Sequence, residues 1–229
     1  MATLPRHIGF IVDGNRRWAT ERGLKLYQGH EAGRDVLRDV LLETLGRGVP
    51  YVSAYVFSTE NWKRSPLEVR KLMNLLLKVL EEDLPLFHKH RVRIRVLGQI
   101  SAPLPKKVIE AIKVAEKATE RYNNKHLLLC LNYGGQQEIA DAVQKIMLAE
   151  TPPETVTPEL IEQFLYAPDV PPCDLVVRTS GEQRLSNFML WRSAYSELMF
   201  IDKPWPDMTK ADVTDILATY EQRNRRFGG

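Results

Sequence analysis

An acid and two arginines follow the first apolar segment of the chain. Residues 8–12 (IGFIV) suit a buried strand and lead directly into residues 13–17, DGNRR. A turn between a strand and a helix presents backbone N–H groups to an anion, and arginines add charge-assisted hydrogen bonds to phosphate oxygens. A carboxylate such as Asp13 fits there if Mg²⁺ lies between it and a diphosphate. The stretch therefore predicts a magnesium diphosphate site, with an ordinary surface turn as the alternative.

A second basic loop occurs late in the chain. The stretch RTSGEQRLSNF offers two further arginines, Arg178 and Arg184, together with two serines and a glycine turn. A basic surface turn is the commoner explanation of one such loop. Two loops of this kind at one crevice predict binding of two diphosphates or of one longer polyphosphate.

One helical segment is more apolar than a single core-facing side requires. Residues 71–87, KLMNLLLKVLEEDLPLF, carry apolar side chains over a broad arc. The pattern indicates either a well-buried helix or one wall of an apolar channel. Beside a diphosphate site, a channel of this kind predicts a lipid diphosphate as ligand.

The elements that must position these residues alternate along the chain. Apolar runs suited to strands are IGFIV, YVSAYVF, RVRIRVLG, LLLCLNYGG and DLVVRTSGE. Helical periodicity is predicted over residues 29–48, 66–89, 105–122, 136–148 and 209–225. Such alternation predicts an α/β fold with a mostly parallel sheet covered by helices, as one domain spanning residues 1–229. The stretch TPPETVTP looks like a linker but is too short to separate domains.

Four polar positions each lie just beyond the carboxyl end of a predicted strand: Asp13, Ser58, Asn132 and Arg178. The carboxyl ends of parallel strands face a common crevice. We therefore expect these loops to converge on one site.

Composition narrows the class of protein. The 229 residues are 44% hydrophobic and 27% charged, as in ordinary globular proteins, and a net charge of +3 is too small to demand nucleic acid. No stretch has the length of a signal peptide core or of a membrane span, so a cytoplasmic protein is expected. Cys130 and Cys173 could form a disulfide, although two cysteines in a chain of this size more often stay reduced.

Seven stretches in order resemble the cis-prenyltransferase family, of the undecaprenyl diphosphate synthase type, from Arg6 to Gly229. They are IVDGNRRWA, GHEAG, YVFSTENWKRSPLEV, LNYGG, DLVVRTSGEQRLSNFMLW, YSEL and RRFGG. The resemblance implies a helix-covered parallel sheet with a hydrophobic tunnel, a homodimer, and a Mg²⁺-dependent transferase. Its implied substrates are isopentenyl diphosphate and an allylic diphosphate such as farnesyl diphosphate, joined with a Z double bond.

The resemblance also implies roles for individual residues. Catalytic roles fall to Asp13, Ser58 and Asn61, and metal-binding roles to Asp13 and Glu197. Substrate binding falls to Gly14, Asn15, Arg16, Arg17, Trp18, His30, Trp62, Arg64, Arg178, Arg184 and Ser186. Glu68 belongs to the same mobile segment as Trp62 and Arg64. Arg226 and Gly228 form a terminal RxG element that reaches the substrate of the neighbouring subunit.

Three positions depart from the family pattern. Leu26 and Gln136 each stand where relatives often have Arg, and Gln183 stands where a His is frequent. The resemblance places Val56 on the tunnel wall. Its intermediate size leads us to expect a medium to long product, and most of all the undecaprenyl carrier of bacterial cell wall synthesis. Peripheral membrane contact would serve its release. The alternatives are a short- or medium-chain Z-prenyl diphosphate synthase, a non-catalytic subunit of a heteromeric prenyltransferase, and a phosphate-ester hydrolase.

Overall fold

A six-stranded parallel sheet forms the centre of the computed structural model, which describes residues 4–223. Its strands are β1 (His7–Ile11), β2 (Tyr51–Ser58), β3 (Arg93–Leu97), β4 (His126–Tyr133), β5 (Leu175–Arg178) and β6 (Glu197–Phe200). They lie in the order β3-β4-β2-β1-β5-β6, and each neighbouring pair is parallel. The chain leaves β1 toward β2 on one side and later returns to β5 on the other. Ligands of open α/β sheets bind at such a switch point, here the carboxyl ends of β1 and β5.

Helices cover both faces of the sheet, as the alternating pattern predicts. They are α1 (Asn15–Glu21), α2 (Leu26–Gly46), α3 (Pro66–Glu81), α4 (Leu84–Lys89), α5 (Lys106–Thr119), α6 (Gly135–Leu148), α7 (Pro158–Phe164) and α8 (Lys210–Glu221). Short 3₁₀ turns occupy Thr59–Lys63, Pro153–Thr155 and Trp205–Asp207. The single-domain α/β architecture is confirmed.

One predicted helix is divided in the structure, and α1, α7 and β6 are elements that the sequence pattern did not predict. The helix predicted over residues 66–89 divides into α3 and α4, because Pro85 has no N–H to donate to the carbonyl four residues earlier. The linker-like stretch leads into α7, whose first turn is capped by Thr157 Oγ1 accepting from Leu160 N at 3.3 Å.

The core divides into two layers because side chains alternate across the strands. On one face, Leu127 and Leu129 of β4 pack with residues of α2, α3, α5 and α8. On the other face, Leu128 and Cys130 pack with a cluster that includes Cys173. Both cysteines are free and buried, and burial raises the pKa of each thiol. The reduced state is therefore the one that the structure shows.

An apolar cavity of about 90 Å³ lies between the sheet and helices α2 and α3. Its walls include Leu37, Val56, Leu72, Leu76 and Leu129. The apolar side chains of residues 71–87 thus lie partly in the core and partly on the cavity wall. Both interpretations of this segment, a buried helix and the wall of an apolar space, hold in part. Within residues 4–223, no helix combines the length and hydropathy that crossing a bilayer requires.

Candidate active site

Asp13 and Arg178 form an ion pair at the switch point of the sheet. Asp13 Oδ2 accepts from Arg178 Nη2 at 2.7 Å, although the two residues lie 165 positions apart in the chain. The pair forms because Ile11, at the end of β1, lies beside Arg178 in the sheet register. The Arg178 side chain is 4% exposed, whereas that of Asp13 is 39% exposed. The carboxylate therefore faces open space while its partner is held inside the protein.

Arg178 is fixed by further contacts from its own loop. Its Nη1 donates to the backbone oxygen of Arg184 at 2.5 Å and to Ser186 Oγ at 2.7 Å. Thr179 Oγ1 donates to the backbone oxygen of Asp13 at 2.8 Å and ties the same loop to β1. These contacts hold the guanidinium in one orientation, which lowers the entropy lost when it binds an anion.

The turn after Asp13 depends on close backbone approaches. Gly14 has a φ of 98°, and an added Cβ would lie 2.9 Å from atoms of Ser180 and Pro204. Added Cβ atoms at Gly29 and Gly33 of α2 would lie about 2 Å from Asn15 oxygens. The two glycines of GHEAG therefore let α1 pack against α2. This packing aims the amino end of α1 at the cleft.

Arginines of both basic loops line the same cleft. Arg17 Nη1 donates to the backbone oxygen of Ser180 at 3.1 Å and to Ser180 Oγ at 3.0 Å, and its Nη2 donates to Glu182. Arg16 is about as exposed as Arg17 and its Nε lies 3.8 Å from Glu68 Oε1. Arg16, Arg17 and Arg178 all line a cleft of about 770 Å³. The predicted convergence of DGNRR and RTSGEQR is confirmed in this geometry.

The opposite wall of the cleft is formed by Ser58, Asn61 and Arg64. Ser58 N donates to Asn61 Oδ1 at 3.2 Å, and this bond caps the 3₁₀ turn that follows β2. Arg64 Nη1 donates to Glu68 Oε1 at 3.1 Å. Glu68 thus lies within 4 Å of both Arg64 of this wall and Arg16 of α1.

His30 stands on α2 where the cleft meets the apolar cavity. The pKa of His30 is lowered to about 4, mainly because the ring is buried and secondly because of the positive charge of Arg64. The ring is therefore neutral at pH 7. Its Nε2 lies 3.7 Å from Glu68 Oε1 and has no hydrogen-bond partner among the described residues. This nitrogen is available to a ligand.

The polar cleft and the apolar cavity share one wall. Five residues line both spaces: Val12, Asn15, His30, Val56 and Leu72. Asn15 Oδ1 is buried there without a described partner. An anion held by the arginines would accordingly lie beside an entrance to an apolar space. The arrangement suits a ligand with a charged head and an apolar tail.

The Asp13 carboxylate is a suitable ligand for Mg²⁺ in the cleft. Within residues 4–223, no group of three or more His, Cys, Asp or Glu side chains could hold a metal ion by itself. Mg²⁺ commonly binds through one or two carboxylates and takes its other ligands from substrate phosphates and water. A half-exposed carboxylate beside arginines satisfies that requirement, because the arginines would hold the phosphates.

Glu197 does not join Asp13 within one chain. It begins β6 beside Leu175, whereas Arg178, beside Asp13, pairs with Phe200 at the other end of the strand. Three strand positions separate these levels by about 10 Å. The Glu197 carboxylate instead accepts from Arg223 Nη1 at 2.8 Å. Glu197 therefore cannot bind the same metal ion as Asp13 of its own chain. A metal-binding role for Glu197 at a subunit boundary stays a prediction.

Three further predicted residues lie away from the cleft surface. Trp18 Nε1 donates to Asp207 at 2.6 Å, and the Trp18 ring stacks under Arg22. Trp62 donates to Asn132 and lines a separate groove beside α3. Arg184 is 61% exposed and pairs with Glu182. Arg226 and Gly228 lie outside the described residues.

Several cleft residues were not predicted from the sequence. Glu60 and Asn187 line the cleft, and Asn187 Nδ2 donates to Glu60 Oε1 at 3.0 Å, which joins the two walls. Tyr55 also lines it, from the face of β2 opposite the apolar cavity. The signal available for Asn187 was its place in the RTSGEQRLSN loop. Nothing local distinguished Glu60 from an ordinary surface acid.

The chain is similar to known proteins over almost its whole length. The family model Prenyltransf, described as undecaprenyl diphosphate synthase, matches residues 11–228. An isoprenyl transferase of Thermotoga maritima is 45% identical over 99% of this chain and 97% of its own length. A trans,polycis-polyprenyl diphosphate synthase of Thermobifida fusca, specific for (2Z,6E)-farnesyl diphosphate, is 44% identical over 99% of this chain and 81% of its own.

A solved structure is also similar throughout. The lavandulyl diphosphate synthase of Lavandula x intermedia, determined in complex with dimethylallyl diphosphate, superposes with a TM-score of 0.94 at 31% identity. The match covers 99% of each chain.

Proposed function

The chain belongs to the cis-prenyltransferase family, of the undecaprenyl diphosphate synthase type, and we propose that it condenses isopentenyl diphosphate with an allylic diphosphate. The observation that carries the proposal is the shared wall between the arginine-lined cleft and the apolar cavity. A phosphate-ester hydrolase would need the cleft but not the cavity. A non-catalytic subunit would need neither Asp13 nor the arginines, all of which are present.

The two substrates would be held by the two basic loops. Gly14, Arg16 and Arg17, at the amino end of α1, would bind the allylic diphosphate, with His30 beside the entrance for its tail. Arg178 and Ser186 would bind isopentenyl diphosphate. Because Arg17 bonds to Ser180, the loops are joined and the two diphosphates would lie side by side. Holding both reactants in one geometry removes much of the entropic barrier to carbon–carbon bond formation.

Breaking the allylic C–O bond gathers negative charge on the departing pyrophosphate. Arg16, Arg17 and the amino end of α1 line the cleft and would stabilise that charge. Asp13 would hold Mg²⁺ against the diphosphate. When bound, Mg²⁺ supplies Lewis-acid stabilisation of the leaving group. Ser58 and Asn61, on the opposite wall, would lie beside the reacting carbons.

The proposed product is a long-chain Z-polyprenyl diphosphate, of undecaprenyl length. Val56 supports this proposal because it lines both the cleft and the cavity, so the growing tail must pass it. A tunnel accepts another five-carbon unit only while its walls can yield, and repacking a full wall costs about 1 to 3 kcal/mol. Val56 leaves more room than a larger side chain would.

A homodimer is part of the proposal. The terminal RxG element, Arg226 and Gly228, would complete the substrate site of a neighbouring chain. Mixing an Asp13→Asn chain with an Arg226→Ala chain should then restore part of the activity, since one site of each mixed dimer is intact. No recovery after demonstrated subunit exchange would contradict a shared site.

The activity is tested by incubating the purified protein with Mg²⁺, labelled isopentenyl diphosphate, and dimethylallyl, geranyl or farnesyl diphosphate. Mass spectrometry and chromatography of the dephosphorylated products give chain length and double-bond geometry. Incorporation that requires both an allylic primer and Mg²⁺ is expected. Absence of incorporation with every primer would refute the proposed condensation.

Product length has its own test. Val56→Leu should shorten the product distribution, and Val56→Ala should hold or lengthen it. Equal chain lengths in all three proteins would show that Val56 does not limit the product. The limit would then lie deeper in the cavity, at Met73 or Leu76.

A further inference from the structure

Asn132 is a polar residue at the carboxyl end of β4 that does not face the cleft. It is 3% exposed and is not among the residues that line the cleft. Its φ is 47°, in the left-handed region that Asn tolerates better than most residues. The register of β2 with β4 shifts there, because Phe57 pairs with Leu131 and Ser58 with Tyr133. Asn132 is therefore the extra residue of a β-bulge, a feature that redirects side chains and is frequent next to active sites.

Both ends of the Asn132 amide are used. Its Nδ2 donates to the backbone oxygen of Gln99 at 2.8 Å, and its Oδ1 accepts from Trp62 Nε1 at 2.8 Å. A backbone carbonyl can only accept and an indole N–H can only donate, so these partners fix the orientation of the amide. Gln99 N also donates to the backbone oxygen of Asn132 at 3.2 Å. The bulge is thus clamped to the segment after β3.

The close packing of that segment supports a fixed position for the bulge. Gly98 has a φ of 140°, and an added Cβ would lie 1.9 Å from the Leu131 backbone oxygen. Only glycine allows this approach. The Asn132 amide oxygen, which accepts from Trp62, is therefore held in a fixed position by the packing of β4 against the segment after β3.

Trp62 transmits this position to the cleft wall. It follows Asn61 directly, and its ring packs edge-on against Phe57 of β2 at 4.9 Å between centroids. Asn61 Oδ1 in turn accepts from Ser58 N. The 3₁₀ turn at 59–63 has only five residues, so the anchored indole helps to fix its placement, together with the hydrogen bond from Asn187 to Glu60.

We propose that Asn132 is a positioning residue: at the β4 bulge it holds the Trp62 indole and thereby fixes Ser58 and Asn61 against the substrates. This inference rests on the proposed condensation. It also explains why an amide stands at this position, since the site needs a left-handed backbone, one acceptor and one donor.

The test compares steady-state kinetics of Asn132→Gly, Trp62→Phe and the double variant. Gly keeps the left-handed backbone and removes the amide, whereas Phe keeps a ring against Phe57 and removes the N–H. Misplacing a catalytic wall by a small distance costs up to about a hundredfold in rate, so each single variant should lower kcat by about tenfold to a hundredfold. Glu150→Gly, at a left-handed position with φ 52° distant from the cleft, is the matched control and should keep the wild-type kcat.

The double variant gives the readout that a merely structural role would not produce. If Asn132 acts through Trp62, the double variant should be no slower than the slower single variant, within about twofold. If the losses of kcat in the two single variants multiply in the double variant, the inference is overturned. Wild-type kcat in Trp62→Phe would also overturn it, and this result does not depend on whether Asn132→Gly folds.

These results remain distinct from failure of the proposed function. A wild-type protein that incorporates no isopentenyl diphosphate defeats the condensation itself. An active wild type with unimpaired variants defeats only the role of Asn132.

Discussion

Two arginine–carboxylate pairs of the protein have nearly the same geometry and opposite surroundings. Asp13–Arg178 and Glu138–Arg192 both have N–O distances of 2.7 Å, and both arginines are 4% exposed. The carboxylates differ, because Asp13 is 39% exposed and Glu138 is 1% exposed. The exposed Asp13 carboxylate can therefore bind a further partner, whereas the buried Glu138 carboxylate cannot. The difference lies in burial of the carboxylate rather than in the geometry of the ion pair.

The neighbours of Glu138 leave little room for another partner. Its oxygens accept from Tyr133 Oη at 2.5 Å and from the backbone N–H of Tyr166 at 3.0 Å. Arg192 also donates to the backbone oxygens of Tyr166 and Ala167. This pair joins β4, α6 and the segment after α7. Asp13, by contrast, keeps lone pairs directed into the cleft, as a ligand for Mg²⁺ must.

The largest effect is expected at the open pair. Asp13→Asn should lower turnover by about a thousandfold or more, because it removes the carboxylate that serves Mg²⁺ and the diphosphate. The melting temperature should change little, since the amide oxygen still accepts from Arg178. Asp13→Ala is less informative, because it strips the buried Arg178 of its charged partner. Near-normal turnover in Asp13→Asn would contradict the proposed role.

The closed pair should respond in the opposite sense. Arg192→Met leaves the Glu138 charge buried without its cation and should lower the free energy of unfolding by about 3 to 5 kcal/mol. Turnover of the folded fraction at low temperature should stay near that of the wild type. Urea unfolding measures the first quantity and kinetics the second. The Glu138→Leu/Arg192→Met double variant should lose less free energy of unfolding than the two single variants together, because no charge is left unpaired.

Two histidines allow the same comparison by titration. Burial is the main cause that lowers the pKa of both His7 and His30 to about 4, from 6.5 when unfolded. The unfolded chain therefore binds more protons between about pH 6.5 and pH 4, and the free energy of unfolding falls as the pH falls through that range. Each histidine contributes roughly 3 kcal/mol at most, at 1.4 kcal/mol per unit of pKa.

A ligand should distinguish these histidines. His7 is held inside the protein by Ser53 Oγ at 2.6 Å and the backbone oxygen of Pro171 at 2.9 Å, whereas His30 lines the cleft. Inorganic diphosphate should therefore raise the pKa of His30 and leave that of His7 unchanged, as followed by NMR of the ring carbons. Equal shifts, or none, would place the anion away from His30.

The smallest effect is expected from adding a cation to the open cleft. Leu26 begins α2 one turn before His30, so the two side chains share a face of the helix. Leu26→Arg should lower the KM for the allylic substrate by about tenfold, the low end of a charge-assisted hydrogen bond, and leave that for isopentenyl diphosphate unchanged. Leu26→Met, of similar size without charge, is the control. An unchanged allylic KM would show that residue 26 does not reach the diphosphate.

Local sequence patterns were sufficient for most of the framework. Apolar runs such as YVSAYVF and LLLCLNY became β2 and β4, and the strand-end positions of Asp13 and Arg178 correctly predicted that their loops meet. Errors arose where a local pattern was short or ambiguous. The four-residue strand β6 carries too little periodicity to be recognised, and the apolar arc through Pro85 hid a break between two helices.

Most of the strand and helix pattern, the parallel sheet and the two basic loops follow from the sequence alone, because periodicity and turn chemistry act over a few neighbouring residues. Which polar strand-end residue faces the cleft depends on the folded arrangement of the strands. Asp13 and Asn132 looked equivalent in the sequence, yet one is open to the cleft and the other is buried at a bulge against Trp62, 70 positions away. Such orientations depend on strand register and on contacts between distant segments, which no local pattern encodes.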